Sequence, residues 1–209
     1  MVRQERAVRT RRALIRAAAE VFADEGYVPA SLPVISERAG VSKGALYFHF
    51  ESKTALAGAV EEEAARRLEQ ILEQARQRPA LPRLQLLAEA TGALAALMAA
   101  DVVMRAGFQL DGDVTREGGL ELSRRWRAWV AEMLRQAQHE GELASGVSWR
   151  AVETAVVTST IGLQVLAARD EGWRSEERAG QLWGLLLRAA GRPVPEPAAG
   201  QAPAPQGLL

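Results

Sequence analysis

The chain contains no cysteine. That excludes a disulfide framework, a thiolate zinc site and a cysteine nucleophile. Histidine is almost as scarce: His49 and His139 lie ninety positions apart without ligand-spaced companions, so no metal site is expected. No run of 18 apolar residues occurs, and the start Met1-Val2-Arg3-Gln4-Glu5-Arg6 lacks the apolar stretch of a signal peptide. A soluble, cytoplasmic protein with no membrane partner is expected. Net charge is also missing, with 26 basic residues balancing 26 acidic ones. The basic residues are 24 Arg and 2 Lys, a skew we attribute to the codon usage of a G+C-rich genome. The 209 residues suffice for one medium domain or two small ones.

The zero net charge conceals a gradient. Residues 1–16 hold Arg3, Arg6, Arg9, Arg11, Arg12 and Arg16 against Glu5 alone, and the segment through Lys53 carries +3. A basic segment on a neutral chain points to a local polyanion contact, although a solvated helix start gives the same count.

Strand alternation is absent and the 3.6-residue helical period runs almost throughout, so the fold class is all-α. Helices are expected at 8–25, 32–39, 43–49, 53–77, 83–99, 102–109, 149–169 and 175–190. Gly26 stops the first, Ser31 and Ser42 cap the two short ones, and Arg78-Pro79-Ala80-Leu81-Pro82 breaks the fourth. Asp111 to Gly119 reads as a loop. Beyond it Leu122, Trp126, Val130, Met133 and Ala137 fall within about 40° of one helix face. The stretch from Ala151 to Ala168 is apolar around its whole circumference and needs cover on most sides. Five of the nine prolines stand beyond Arg192, in a tail expected to be disordered.

The most informative stretch is Ser31 to Lys53. Two short helices joined by a glycine turn, behind a basic first helix, match the helix-turn-helix arrangement of DNA-binding proteins. On the second of these helices the first N–H groups, with Ser42 beside them, can receive a phosphate. Lys43 can reach a guanine edge in the major groove. Gly44 and Ala45 permit close backbone approach, and Tyr47 and His49 offer hydrogen bonds to phosphate. Phe48 and Phe50 carry no hydrogen-bonding group and are expected in the core. Enzymatic chemistry lacks support: Glu61-Glu62-Glu63 is a charge run on a long helix, and no nucleophile elbow or triad signature occurs.

The run Ala39-Gly40-Val41-Ser42-Lys43-Gly44-Ala45-Leu46-Tyr47-Phe48-His49-Phe50, with Lys53, Leu56 and the upstream Phe22 and Gly26-Tyr27, resembles the DNA-binding signature of tetracycline-repressor (TetR) family regulators. The string from Lys43 to Phe50, with Trp126, is similar to the actinomycete γ-butyrolactone receptor branch. The resemblance implies a helix-turn-helix domain over 1–52, a ligand-binding and dimerisation domain over 53–191, and a tail over 192–209. It assigns Lys43 to base contact, and Ser31, Ser42, Gly44, Tyr47, His49 and Lys53 to the DNA backbone or close approach. The Arg-rich start is similar to arms that some members lay against DNA. Pro33 and Ser36 depart from the usual pattern of the first short helix.

For the remainder the resemblance implies a homodimeric repressor on a pseudopalindromic operator, released by a small apolar ligand of γ-butyrolactone type that controls secondary metabolism; no cofactor is expected. Alternatives are a pseudo-receptor for an antibiotic or biosynthetic intermediate, and a ligand-independent repressor. Trp126 aligns with a pocket tryptophan of the receptors, though a tryptophan in an apolar stripe is as often core. Thr160 matches a ligand-bonding hydroxyl, though it can also bond the carbonyl four residues earlier. Gln109, Val130, Met133, Gln164 and Thr158 complete the ligand candidates. Gly162, Leu182, Trp183 and Leu186 are the candidates for the dimer interface, with plain core packing the alternative for Trp183. Ala64 departs from the receptors, several of which carry glutamine there.

Overall fold

The computed structural model describes residues 2–116 and 121–191. The expected disorder beyond Arg192 lies outside them. In order the helices are α1 (Val2–Glu25), α2 (Leu32–Arg38), α3 (Lys43–His49), α4 (Lys53–Arg76), α5 (Arg83–Ala100), α6 (Val102–Asp111), α7 (Glu121–His139), α8 (Trp149–Arg169) and α9 (Glu176–Ala190). A 3-10 turn, Glu171–Arg174, joins the last two, and no strand occurs among the described residues.

α1 starts six residues earlier than the periodicity predicts. Gln4, Glu5, Arg6 and Ala7 are good helix formers with no glycine or proline among them, so the Arg-rich start is helix and not an extended arm. The α2–α3 turn depends on Gly40, whose φ of +66° is one that side-chain-bearing residues rarely adopt. There the Val41 amide donates to the Ser36 carbonyl at 3.0 Å and closes the corner.

Two apolar cores share α4 and α6. The first gathers Leu14, Ala18, Val21 and Phe22 of α1 with Ile35, Leu46, Phe50, Leu56, Val60, Val103, Ala106 and Leu110. The second gathers Leu68 and Leu72 of α4 with Leu87, Leu94, Met104, Phe108, Leu122, Trp126, Val130, Leu134, Val156, Trp183 and Leu187. α4 and α6 approach so closely that a Cβ at Gly107 would collide with the Cβ of Ala64. Ala64 is fully buried at that contact.

Two carboxylates cap helices from a distance. Glu142 accepts from the amides of Arg83 (2.7 Å) and Leu84 (2.9 Å), the cap that Pro82 cannot give α5. Asp111 belongs to α6 and not to the loop after it. Its buried carboxylate accepts from the Leu122 amide (2.9 Å), the Ser123 amide (3.0 Å) and the Ser123 hydroxyl (2.6 Å), fixing the first turn of α7. No single helix among the described residues is long and apolar enough to cross a membrane.

Candidate nucleic-acid interface and effector cavity

The outward face of α3 follows from its two anchors. Leu46 and Phe50, four residues apart, turn into the first core; Gly44, Tyr47 and Phe48 stand about 100–160° around the helix from Leu46 and are exposed, as is Lys43 in the first turn. The Ser42 hydroxyl accepts from the Ala45 amide at 3.2 Å and caps the helix. Lys43 is in no ion pair among the described residues, and Tyr47 is exposed. His49 is half-buried, its ring edge-on to Phe48 at 5.1 Å.

Three expectations need correction. Phe50 is buried as expected, with the Arg11 guanidinium over its ring at 5.3 Å, but Phe48 is 80% exposed. At 100° per residue, position 48 falls some 160° from both Leu46 and Phe50, so its lack of a polar atom does not bring it inside. Ser31 holds the N-cap position of α2 but its hydroxyl makes no capping bond. Lys53 is fully engaged inside the protein: its ammonium donates to the carbonyls of Tyr27 (2.8 Å), Val28 (3.0 Å) and Ala30 (2.9 Å) and sits 4.5 Å from the Tyr27 ring centre. An ammonium has three N–H groups, and all three are spent on the loop between α1 and α2.

Replacing Lys53 by methionine should therefore act on stability. The expected loss is about 1–2 kcal/mol, a fall in Tm of roughly 3–6 °C, with an unchanged slope of log K against log salt for DNA. A phosphate contact by Lys53 would instead make that slope shallower by about 0.9 per contact.

The start of α1 is basic as well. Arg6, Arg9 and Arg12 are exposed and in no ion pair among the described residues, whereas Arg16 pairs with Glu20 at 3.2 Å. Arg38 of α2 pairs with Asp24 of α1 at 2.9 Å.

A cavity of about 610 Å³ opens between α5, α6, α8 and α9. Its apolar wall includes Leu94, Met98, Phe108 and Leu163, and three of the sequence-derived ligand candidates, Gln109, Thr160 and Gln164, line it. Trp126, Val130 and Met133 do not. Trp126 is 1% exposed, stacked on Trp129, and donates its indole N–H to the Thr160 hydroxyl at 3.3 Å from behind the wall. Thr160 in turn donates to the Val156 carbonyl at 2.9 Å. Val130 is fully buried and Met133 packs against the second core. Thr158 is exposed and bonds the Thr154 carbonyl at 2.6 Å.

Trp183, an interface candidate from sequence, points inward instead. It is 4% exposed, it lines the cavity, and its indole N–H has no partner in the protein. Its turn of α9 shares the inward face with Ala179 and Leu187, a spacing of four on each side. Leu182 and Leu186 are half-buried, with Leu186 against the second core, and Gly162 is half-buried on α8. The apolar side chains that α8 and α9 leave in water are Ile161, Val165, Leu166 and Leu185, which were not among the candidates.

The cavity wall continues toward α4 and the α1–α2 loop. Gly112 and Asp113 line the cavity, and the Asp113 carbonyl accepts from the Arg116 amide at 3.1 Å. Both terminal nitrogens of Arg116 donate to the Glu61 carboxylate of α4 at 2.7 Å, one also to the Leu110 carbonyl at 3.0 Å. Glu61 raises the already high pKa of this guanidinium, which also lies 5.0 Å from the Tyr27 ring. One loop thus joins the cavity to α4 and to the ring that Lys53 holds. Among the described residues no cluster of acidic and histidine side chains could hold a metal.

Residues 14–60 match the family described as bacterial regulatory proteins, tetR family. The chain is 34% identical over 198 residues to the A-factor receptor protein of Streptomyces griseus, covering 92% of this chain and 68% of that one. Among solved structures it resembles the TetR family protein CprB of Streptomyces coelicolor in complex with its biological operator sequence, at 30% identity and a TM-score of 0.77 over 90% of each chain. A crystal structure of a γ-butyrolactone receptor, an ArpA-like protein, aligns at 28% identity and a TM-score of 0.70 over 88% of this chain and 98% of that one. The chain belongs to the tetR family of bacterial regulatory proteins. Within it, this is a DNA-binding transcriptional regulator related to the A-factor and γ-butyrolactone receptors.

Proposed function

We propose that the chain acts as a homodimeric repressor that leaves its pseudopalindromic operator when a small apolar molecule of γ-butyrolactone type occupies the cavity. Residues 1–52 read DNA, and residues 53–191 take the effector and dimerise. Lys43 reads a base, while Ser31, Ser42, Gly44, Tyr47 and His49 approach or bond the DNA backbone; Lys53 positions the α1–α2 loop beneath them.

The observation that carries this reading is the double engagement of α6 and its trailing loop. Phe108, Gln109, Gly112 and Asp113 line the cavity, while Val103, Ala106 and Leu110 of the same helix are buried against α1 and α4. A ligand that favours another position of α6 shifts the DNA-reading units with it. A preference of about 1.4 kcal/mol for the unbound form suffices to weaken operator binding tenfold.

An indole N–H buried without a partner at a largely apolar wall, which also carries Gln109, Thr160 and Gln164, favours an effector with a hydrogen-bond acceptor beside an apolar body. The volume suits a molecule of drug size or smaller. The test is fluorescence anisotropy on duplex DNA from the chain's own upstream region, with a synthetic γ-butyrolactone added stepwise. Release at rising γ-butyrolactone supports the reading, and salt-sensitive binding indifferent to it and to an organic extract of the source cells sinks the effector half. Trp183→Phe keeps the ring and removes the donor. It should weaken effector affinity about tenfold and leave DNA affinity in the absence of effector unchanged.

A further inference from the structure

We propose that Phe48 reads a thymine methyl group in the major groove, as the apolar counterpart of Lys43 at the neighbouring base. The inference rests on the DNA-reading role of α3 and extends it to a residue that has no hydrogen bond to give a phosphate. Phe48 is 80% exposed on the arc that also carries Gly44 and Tyr47, and Lys43 is exposed at the start of the same helix. One turn earlier stands Gly44, where even an added Cβ would meet nothing but the Ser42 hydroxyl at 3.9 Å, so no side chain screens the ring from that side. On the other side the His49 ring packs edge-on at 83° and restricts how the phenyl can turn.

Apart from the His49 edge the protein gives this ring no cover, and on the helix that presents Lys43 and Tyr47 an uncovered phenyl is placed to meet whatever that helix docks against. Phosphate and the hydrogen-bonding edges of guanine, adenine and cytosine offer a phenyl nothing. The C5-methyl of thymine is the apolar group that the major groove displays, and phenylalanine is among the side chains that touch it. Lys43 and Phe48 stand about 140° apart on α3, so the two reach different base pairs of one half-site. Lys43 fixes the guanine and Phe48 the thymine.

The experiment uses a duplex that the full chain recovers from a random-sequence pool. Each thymine is replaced in turn by deoxyuridine, which keeps every hydrogen bond and removes only the methyl. For the natural chain, one symmetry-related position per half-site should weaken binding about fourfold. Phe48→Ala should bind more weakly and be indifferent to that same replacement, with an unchanged salt slope. Phe48→Leu should recover part of the sensitivity. A half-site without thymine, a sensitivity that survives in Phe48→Ala, or no sensitive position in the natural chain overturns the assignment. So does a Phe48→Ala defect confined to loading a second dimer on a longer duplex, which would mark a protein contact. Failure of the natural chain to recover any sequence from the pool would instead sink the DNA-reading role beneath it.

Discussion

Replacing Lys43 by alanine should lower affinity for the operator by about one and a half to four orders of magnitude while leaving the fold untouched. Lys43 is exposed and in no ion pair among the described residues, so nothing inside the protein is left unpaired when it goes. A lysine reading the guanine O6 and N7 edge contributes about 1–3 kcal/mol of discrimination. A homodimer on a pseudopalindrome makes that contact twice, so the expected loss is about 2–6 kcal/mol. Affinity for a scrambled duplex should fall far less, and the salt slope should hold. Anisotropy titrations on both duplexes at several salt concentrations read all three quantities. An equal loss on both, with a shallower slope, would place Lys43 on a phosphate instead.

The helices were legible because amphipathic periodicity is a local property: the bounds of α3 follow from Ser42 and from the spacing of Leu46 and Phe50. What was not legible depends on contacts between distant segments. The three carbonyls that occupy Lys53 belong to residues more than twenty positions upstream, and no spacing rule connects them. Trp126 and Trp183 carry the same sequence signature, a tryptophan in an apolar stripe. Only the packing of α7 and α9 decides that the first is covered by Thr160 and the second faces the cavity. Asp111 resembles a loop residue until α7 arrives to be capped by it. Phe48 is a different case, because the wheel that buries Leu46 and Phe50 already turns it outward. Its place on the helix, not its polarity, decides its exposure.

A charge placed on the outer face of α8 or α9 should break the dimer. The sequence requires the stretch around Ala151 to Ala168 to be covered on most sides, yet within one chain Ile161, Val165 and Leu166 stay 41%, 50% and 41% exposed, and Leu185 of α9 is 64% exposed. A second copy supplies the missing cover most economically, because a two-fold axis buries the same patch twice. Ile161 and Val165 also border the cavity, so Leu166 and Leu185 are the cleaner sites. Leu166→Glu or Leu185→Glu puts a carboxylate where a single chain is already wet, and the isolated protomer should keep its thermal stability. In a dimer the same carboxylate is desolvated without a partner, and each association buries two of them. Sedimentation at micromolar concentration should show monomers. Operator affinity should fall by about two to three orders of magnitude, because the second half-site is no longer delivered at high effective concentration. Salt-sensitive contact with a single half-site should survive. If both variants stay dimeric with operator affinity intact, the protomers meet elsewhere and the exposed faces of α8 and α9 serve another end.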